Sequence, residues 1–345
     1  MHFLYPVIRK LLFSMEPEKS HDWSLGFMKK LEDSPFRFLL NQTRVDDPCE
    51  LWGLTFPNRV GLAAGLDKDA AYIDALGALG FGFIEVGTVT PKPQPGNPKP
   101  RLFRLEKSEA IINRMGFNNL GVDNLVENVK RSNFDGVLGI NLGKNKDTPE
   151  ERAAEDYIIG MEKVFPHSDY ITINISSPNT PGLRDMQFGE VLNELLRSIK
   201  QKQSELQNKY TKQVPVLVKI APDLSDAEIE QVSDSFLTHK IDGIIATNTT
   251  VSRDAIAGEP LAKEAGGLSG RPLEAFSTEV LSKMNQALSG RIPLIGVGGI
   301  YDKETAIGKF AAGASLVQLY SGFIFKGPRL IEDVAKAAQI HFKRR

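Results

Sequence analysis

DYITINISSPN, residues 169–179, carries a strand-like pattern directly into a cluster of polar side chains. Isoleucine occupies positions 171, 173 and 175, and polar residues stand between them. This period-two alternation predicts a strand with one face toward helices and the other toward the centre of a sheet. Pro178 cannot donate to a β ladder, so we expect the strand to end before it. The polar group at that end comprises Asn174, Ser176, Ser177 and Asn179.

The polar end of this strand has two interpretations. Parallel α/β folds place their chemistry at the carboxyl ends of strands, which favours a functional site here. Asn and Ser are also common in turns, so the alternative is a strand end satisfied by its own backbone. If the alternation continues past Asn174, Ser176 is the serine that points inward.

Strand-like and helix-like segments alternate from residue 59 to the end of the chain. Strands are predicted at 60–65, 83–88, 137–142, 170–176, 216–220, 243–247, 294–297 and 316–320. Helices are predicted at 70–79, 122–130, 150–164, 190–209, 226–240, 275–288, 303–312 and 330–342. This α/β pattern favours a closed (β/α)8 TIM barrel over an open doubly wound sheet. The insertion 90–118 is predicted to contain a small hairpin that covers the barrel mouth.

The composition excludes several classes of protein. The 345 residues include 42 Lys and Arg and 43 Asp and Glu, so no basic excess indicates nucleic acid. Cys49 is the single cysteine, which excludes an intramolecular disulfide and indicates a reducing compartment. None of the five histidines follows a predicted strand, so we expect no metal site. The expected partner is a small molecule.

Two amphipathic helices are predicted before the barrel. In residues 1–14 apolar side chains, starting with Phe3 and Leu4, recur every three or four positions. A second stripe carries Trp23, Phe27 and Leu31. We therefore expect a helical segment over 1–40 and a barrel over 41–345, with 41–50 as a linker. The pair either docks on the barrel as core or lies in a membrane interface.

Polar or cationic side chains follow most of the predicted strands. They are Lys68, Thr88, Asn141, Asn174, Lys219, Thr247, Asn248, Thr249, Tyr320 and Ser321. Amides offer both donors and an acceptor, so such a ring suits a flat substrate rich in heteroatoms. Asp67 lies next to this set, and its alternative role is to order a turn.

Lys219 lies in the apolar stretch VLVKIAP, where a buried ammonium needs a partner or a chemical role. One role is a Schiff base with a carbonyl substrate, and the other is pairing with an electron-rich cofactor ring. Glycines follow the last two predicted strands in IGVGGI (295–300) and LYSGFIFKGP (319–328), and GGLSG (266–270) forms a third glycine-rich loop. Barrels of this kind bind phosphate after strands seven and eight, although ordinary tight turns are the alternative.

Nine stretches spread over the whole chain resemble the dihydroorotate dehydrogenase family. They are LAAGLDKD (62–69), EVGTVTPKPQPGNPKPRLFRL (85–105), NRMGFNN (113–119), GINLGKNKDT (139–148), NISSPNTPGLR (174–184), IATNTT (245–250), GGLSGRPL (266–273), GVGGI (296–300) and QLYSGFIFKGP (318–328). The N-terminal extension is similar to that of class 2, the membrane-associated branch that reduces quinone. Class 1 relatives have cysteine at the position of Ser177, and here Cys49 lies before the barrel.

The resemblance implies oxidation of (S)-dihydroorotate to orotate by hydride transfer to FMN, in de novo pyrimidine biosynthesis. Ser177 matches the general base of the family. The cofactor would be held by Ala64, Gly65, Leu66, Asp67, Lys68, Thr88, Asn141, Asn174, Lys219 and Thr247, with Gly270, Gly299, Tyr320 and Ser321 at its phosphate end. The substrate would be surrounded by Lys68, Asn113, Arg114, Met115, Gly116, Phe117, Asn174, Asn179, Asn248 and Thr249.

The resemblance also gives the helical pair a role. It implies a tunnel that admits ubiquinone or menaquinone to the flavin, lined by His21, Arg104 and Tyr320. The chain would act as a monomer, peripherally bound to the cytoplasmic face of a bacterial inner membrane. Two rivals remain: a Schiff-base lyase that uses Lys219, and a lipid-binding protein in which the barrel is only a scaffold. No GxGxxG motif opens the first βα unit, so we expect no nicotinamide cofactor.

Overall fold

The structure, a computed structural model, describes residues 5–343. Its helices are α1 Tyr5–Phe13, α2 Pro17–Glu32, α3 Ile73–Gly77, α4 Val122–Val129, α5 Ala153–Val164, α6 Gly189–Tyr210, α7 Asp226–Thr238, α8 Glu274–Ala287, α9 Lys303–Ala311, α10 Ser321–Lys326 and α11 Arg329–Lys343. Its strands are β1 Cys49–Leu51, β2 Leu54–Phe56, β3 Val60–Leu62, β4 Phe83–Val89, β5 Leu102–Leu105, β6 Ala110–Asn113, β7 Val137–Leu142, β8 Tyr170–Asn174, β9 Val216–Ile220, β10 Gly243–Ala246, β11 Gly267–Gly270, β12 Leu294–Val297 and β13 Ala314–Leu319. Phe3 and Leu4, at the start of the predicted apolar stripe, lie outside the described residues.

Eight parallel strands close into a barrel in the order β3, β4, β7, β8, β9, β10, β12 and β13. The predicted α/β barrel is therefore confirmed. Two strands end at least two residues earlier than predicted, and β10 and β13 end one residue earlier. β3 stops at Leu62, and Gly65 beyond it has a φ of 112° that a strand does not use. β8 stops at Asn174 because its side-chain oxygen, not a neighbouring strand, accepts the N–H of Ser176 at 3.2 Å.

The alternation in β8 separates two kinds of core. Ile171 and Ile173 face outward and pack with the surrounding helices, as the pattern predicts. Tyr170 faces inward and shares the lower barrel interior with Phe83 and Leu217. Above this apolar layer the inward-facing positions become polar. The barrel therefore has a packed floor that supports a polar upper end.

Two small antiparallel sheets flank the barrel. β1 and β2 pair below it, and Trp52 in their turn donates from Nε1 to the Asp242 carbonyl at 2.6 Å. The predicted linker over 41–50 was thus wrong for its last two residues, because Cys49 and Glu50 belong to β1. The predicted hairpin is confirmed as β5 and β6. The GGLSG stretch, predicted as a loop, pairs instead with β6 as strand β11, so its backbone groups are largely used in a sheet.

The helical pair α1 and α2 docks on the barrel and on the hairpin. Tyr5 donates its hydroxyl to the Ile324 carbonyl at 2.5 Å. In α2, Glu18 forms a buried ion pair with Arg101 at 2.7 Å, just before β5. The outward surface of the pair and of the following turn exposes large apolar side chains: Val7, Leu11, Trp23, Phe27, Phe36, Phe38 and Leu39. Among residues 5–343, no helix has both the length and the hydropathy needed to cross a bilayer.

Candidate active site

A cavity of about 1010 Å³, including its open mouth, lies at the carboxyl ends of the barrel strands. Its wall combines strand ends, the β6 end of the hairpin and the turn that follows β12. A cavity of this volume accommodates a cofactor together with a small substrate. The strand ends that the sequence singled out therefore surround one continuous chamber.

Most of the predicted site residues line this chamber. They are Ala64, Gly65, Lys68, Thr88, Asn113, Met115, Gly116, Phe117, Asn174, Ser177, Asn179, Lys219, Thr247, Asn248, Thr249, Gly270, Gly299, Tyr320 and Ser321. Four others lie elsewhere. Leu66 lines a second cavity, and Asp67 accepts the backbone N–H groups of Ala71 and Tyr72 at 2.9 and 2.8 Å. Arg114 pairs with Glu264 at 2.6 Å outside the chamber, and Asn141 lies behind its wall.

Burial raises the pKa of Asp67 to about 6, although two backbone N–H donors oppose that rise. The carboxyl orders the turn before α3, as the alternative interpretation proposed. Its backbone carbonyl also accepts the N–H of Gly87 at 3.0 Å, which ties this turn to β4. Asp67 therefore shapes the chamber from outside.

A fully buried polar network supports the floor of the chamber. Glu85 accepts hydrogen bonds from Asn141 at 2.7 Å, from Tyr170 at 3.0 Å and from Gln318 at 2.8 Å. Asn141 in turn accepts the Thr88 hydroxyl at 2.6 Å. These bonds join β4, β7, β8 and β13. The network fixes side-chain orientation because each buried polar group would otherwise lose its hydration without compensation.

Lys219 is 5% exposed, lines the chamber, and makes no hydrogen bond or ion pair with any described residue. Burial lowers the pKa of its ammonium, and the charge of Glu85 opposes that shift. A buried cation without a partner is costly unless a bound group supplies one. The Lys219 ammonium is thus an unpaired hydrogen-bond donor on the wall of the chamber.

Lys68 is the second cation on the chamber wall, and it too makes no hydrogen bond among residues 5–343. Burial, and next the charge of Arg101, lower its pKa to about 8, against the opposing charge of Glu18. The ammonium is still charged at neutral pH. An anionic substrate is the partner that such a group favours.

The two serines after β8 have different surroundings. Ser176 donates to the Asn174 side-chain oxygen and accepts from Asn248, both at 2.9 Å, and does not line the chamber. Ser177 lines it and accepts the N–H of Asn179 at 3.2 Å. The inward assignment of Ser176 from alternation was wrong because β8 ends at Asn174. Among the described residues, the Ser177 hydroxyl proton has no acceptor, so it is available to a ligand.

One arginine that the sequence reasoning did not single out holds the loops around these serines. Arg184 donates to the Ser176 carbonyl at 3.0 Å, to the Asp223 carboxylate at 2.8 Å and to the Thr249 carbonyl at 2.7 Å. It therefore ties together the loops after β8, β9 and β10. Arg184 ends the stretch NISSPNTPGLR, and that position is the sequence signal that could have identified it.

Two residues that line the chamber, Ser269 and Gln318, were also missed by the sequence reasoning. Ser269 shares a hydrogen bond of 2.8 Å with the predicted Ser321 across the chamber wall. Gln318 presents a buried side-chain oxygen that has no partner among the described residues. Gln318 lies inside β13, and its place on the inward face is the sequence signal that could have identified it.

A second cavity, of about 1220 Å³, lies between the helical pair, the hairpin and α10. Its lining is predominantly apolar: Ile8, Leu12, Phe13, Trp23, Leu25, Phe27, Met28, Leu31, Leu66, Leu79, Phe103, Phe323 and Ile324 contribute. The three residues predicted for a tunnel, His21, Arg104 and Tyr320, all line it. Tyr320 also lines the first chamber, so this residue is shared by the two spaces.

The polar groups of the second cavity have specific settings. Arg104 donates to the Phe13 carbonyl at 2.9 Å and stacks over the Phe13 ring at 4.1 Å. Burial, and next the charge of Lys68, lower the pKa of His21 to about 4, so this imidazole is neutral at physiological pH. Burial also raises the pKa of Tyr320 to about 12. The second cavity thus offers an apolar ligand one fixed cation and one neutral imidazole.

No cluster of His, Cys, Asp or Glu suited to a metal ion occurs among residues 5–343. The fold and the paired cavities define a (β/α)8 barrel with a polar chamber beside an apolar one. The sequence profile described as Dihydroorotate dehydrogenase matches residues 48–340. The chain belongs to this family, which is flavin-dependent, and the resemblance stated from the motifs is confirmed.

Individual relatives agree with this assignment. The chain is 59% identical over 330 residues to a dihydroorotate dehydrogenase (quinone) from Yersinia enterocolitica, covering 96% of this chain and 98% of that protein. The same values hold for the enzyme of that name from Serratia proteamaculans. Among solved structures, DHODH from Eimeria tenella in complex with ferulenol has a TM-score of 0.86 and 38% identity, covering 93% of this chain and 90% of that one. The ligand-free form from the same organism has a TM-score of 0.85 and 39% identity, covering 93% of each chain.

Proposed function

We propose that this protein oxidises (S)-dihydroorotate to orotate, with FMN as hydride acceptor and a membrane quinone as the final oxidant, in de novo pyrimidine biosynthesis. The observation that carries this proposal is that Tyr320 lines both cavities. A polar chamber for a substrate and an apolar one for a lipid-soluble oxidant thus meet at one residue. Both half-reactions need access to one redox group at that point.

The residues of the polar chamber fit a flavin. Lys219 supplies a buried positive charge without a partner, which suits the electron-rich pyrimidine edge of a flavin ring. Thr88 and Thr247 add hydroxyl groups, and Asn141 orients Thr88 from behind. FMN supplies the capacity to accept a hydride from one substrate and to pass two electrons to another. We assign Gly270, Gly299, Tyr320 and Ser321, which line the same chamber, to its phosphate end.

Glycine is needed where backbone must come close to such a group. Gly65 has a φ of 112°, and a Cβ there would lie 3.3 Å from the ring of Tyr320. A side chain would therefore crowd the residue that the two cavities share. We assign Ala64 and Gly65 to contact with the flavin ring.

Dihydroorotate is an anion with ring amides, and the chamber offers matching groups. Lys68 pairs with the carboxylate, while Asn113, Asn174, Asn179, Asn248 and Thr249 exchange hydrogen bonds with the ring. Asn179 is itself oriented by the Asn113 backbone and side chain, at 3.2 and 3.3 Å. Met115, Gly116 and Phe117 close the chamber on that side. The arrangement holds the substrate in one orientation.

Ser177 is the proposed general base. It removes the proton from C5 as the hydride leaves C6, so the C5–C6 double bond of orotate forms. The Asn179 N–H donates to its oxygen, and no described residue accepts its hydroxyl proton, so that proton must pass to water as the C5 proton arrives. A hydroxyl has a pKa far above neutral, so this role depends on concerted loss of its own proton and of the hydride.

The apolar cavity is the proposed entry for ubiquinone or menaquinone. Arg104 and His21 are the groups that can bond to quinone oxygens there. The exposed apolar side chains of the helical pair would lie in the membrane interface. We place the protein, as a monomer, peripherally on the cytoplasmic face of a bacterial inner membrane.

Both half-reactions can be observed in one cuvette. The visible spectrum of the purified protein is recorded, dihydroorotate is added without oxygen, and a soluble ubiquinone analogue follows. We expect a flavin spectrum that bleaches and then returns. Bleaching without return would retain the substrate and reject the quinone. A colourless protein that borohydride links to a substrate through Lys219 would favour the lyase.

A further inference from the structure

Lys309, in α9, is a buried cation outside both cavities. Its exposure is 0%, and burial lowers the pKa of its ammonium to about 7. Nζ contacts the Ser277 hydroxyl oxygen at 2.5 Å and the Glu274 backbone carbonyl at 3.4 Å. Within residues 5–343 no carboxylate lies within ion-pair distance of it, and the Glu274 charge only partly offsets the effect of burial. Such a charge is expensive to bury without an anion nearby.

A short relay leads from Lys309 to the chamber. Because Ser277 accepts from Lys309, its own proton can donate to the Gly298 carbonyl, 3.1 Å away, with the Glu274 carbonyl at 3.2 Å as the competing acceptor. The Gly298 carbonyl and the Gly299 N–H belong to the same peptide group and point in opposite directions. A bond to that carbonyl polarises the N–H on the other side.

The Gly298–Gly299 turn is held tightly against the start of α8. Gly299 has a φ of 71°, and a Cβ there would lie 2.2 Å from Cα of Glu274. Both glycines line the chamber. Among the described residues, the Gly299 N–H donates to no protein acceptor. This donor is therefore connected, through its peptide group and Ser277, to the Lys309 side chain, which is charged below about pH 7 and which a nearby anion would keep charged.

We propose that Lys309 is a positioning residue for the flavin phosphate, balancing its charge through Ser277 and the Gly298–Gly299 peptide. This inference rests on the proposed function. Lys309 does not touch the phosphate in this arrangement. It makes the peptide donor stronger and keeps the turn in the orientation that an anion requires.

The test compares FMN with riboflavin, which has the same ring and lacks the phosphate. The full-length protein is stripped of flavin, and the affinity for each flavin is measured by fluorescence quenching in the wild type and in Lys309→Met. We expect FMN affinity to fall about tenfold and riboflavin affinity to change less than about twofold. Ser277→Ala, which leaves the cation in place, should produce a smaller loss that is again confined to FMN.

Lys144→Met is the matched control. Lys144 is also a buried lysine, bonded only to the carbonyls of Asn145 and Thr148, and does not line the chamber. It should leave the FMN-to-riboflavin affinity ratio unchanged. Equal losses for both flavins in Lys309→Met, or no loss for FMN, would overturn the inference while leaving the proposed function intact. A wild-type protein that binds neither flavin would overturn both.

Discussion

The cavity at the barrel mouth and the cavity under the helical pair share Tyr320 but are built differently. The first is a ring of strand ends in which the hydrogen-bond network of Glu85 fixes several polar side chains. The second is a gap between helices, lined by flexible apolar side chains with few directional bonds. Directional bonds hold one substrate in one pose, whereas an apolar gap accepts a class of lipophilic molecules.

The difference predicts that the polar chamber is intolerant of small changes. Ser177→Ala removes one oxygen and should slow flavin reduction by dihydroorotate by about 10² to 10⁴-fold, because the C5 proton loses its acceptor. Flavin content should be unchanged. Anaerobic stopped-flow at the flavin absorbance band measures the rate.

Ser176→Ala is the control for this variant, since Ser176 is buried beside Ser177 but its hydroxyl bonds to Asn174 and Asn248. It should slow reduction by less than about tenfold. Equal effects of the two substitutions would show that the loop as a whole, rather than the Ser177 oxygen, is responsible.

Removal of the helical pair tests the other cavity. A chain lacking residues 1–40 loses one wall of the apolar cavity, so reoxidation by a ubiquinone analogue should fall at least about hundredfold. Reduction by dihydroorotate should persist, because the polar chamber is formed by the barrel and the hairpin. Full quinone activity in the truncated chain would refute the tunnel.

The truncation needs a control for the loss of the Glu18–Arg101 ion pair, which anchors α2 to the hairpin. Glu18→Gln weakens that pair and leaves both helices present. It should retain most quinone activity. If it is as impaired as the truncated chain, the helices act by ordering the hairpin rather than by enclosing the quinone.

The two cavities should also respond differently to pH. Burial sets the pKa of Lys68 near 8 in the free protein, so the ammonium is charged below that pH and neutral above it. Affinity for the dihydroorotate carboxylate should therefore fall about tenfold per pH unit above pH 8. His21, with its pKa near 4, stays neutral, and quinone affinity should be flat between pH 6 and 9.

Both dependences are measured from the separate half-reactions. Lys68→Met should bind substrate weakly at all pH values and abolish the decline above pH 8. A decline that survives this substitution would assign the titration to another group.

The contrast between the cavities also separates what the sequence could predict from what it could not. Alternation and helical periodicity are local signals, and they predicted the eight barrel strands and the polar residues at the strand ends. The family resemblance, not periodicity, added Ala64, Gly65 and residues 113 and 115–117 to the chamber. Ser176 was misplaced because alternation says nothing about where a strand stops. Leu66 and Arg114 occur within predicted site motifs but lie away from the chamber, which only the tertiary arrangement reveals.

Long-range contacts explain why the sequence did not reveal the roles of some other residues. Glu85 and Lys309 acquire their roles from partners far away in sequence, such as Gln318 and Ser277. No spacing rule connects these positions. The apolar cavity could not be predicted from local patterns either. The helix patterns predicted two amphipathic stripes but not the space between the helices and the hairpin. Family resemblance, not periodicity, assigned His21 and Arg104 to it.

The smallest predicted effect concerns the outside of the helical pair. Phe36 and Phe38 are 58% and 61% exposed and line neither cavity. In a membrane interface their rings would be buried, so the double variant Phe36→Ser and Phe38→Ser should bind anionic vesicles about tenfold more weakly. Val191→Ser is the control, since Val191 is 50% exposed on α6.

Both proteins should reduce a soluble quinone at the wild-type rate. Unchanged vesicle binding in the double variant would move the membrane contact away from this turn, whereas lost soluble-quinone activity would mean that the turn shapes the cavity itself.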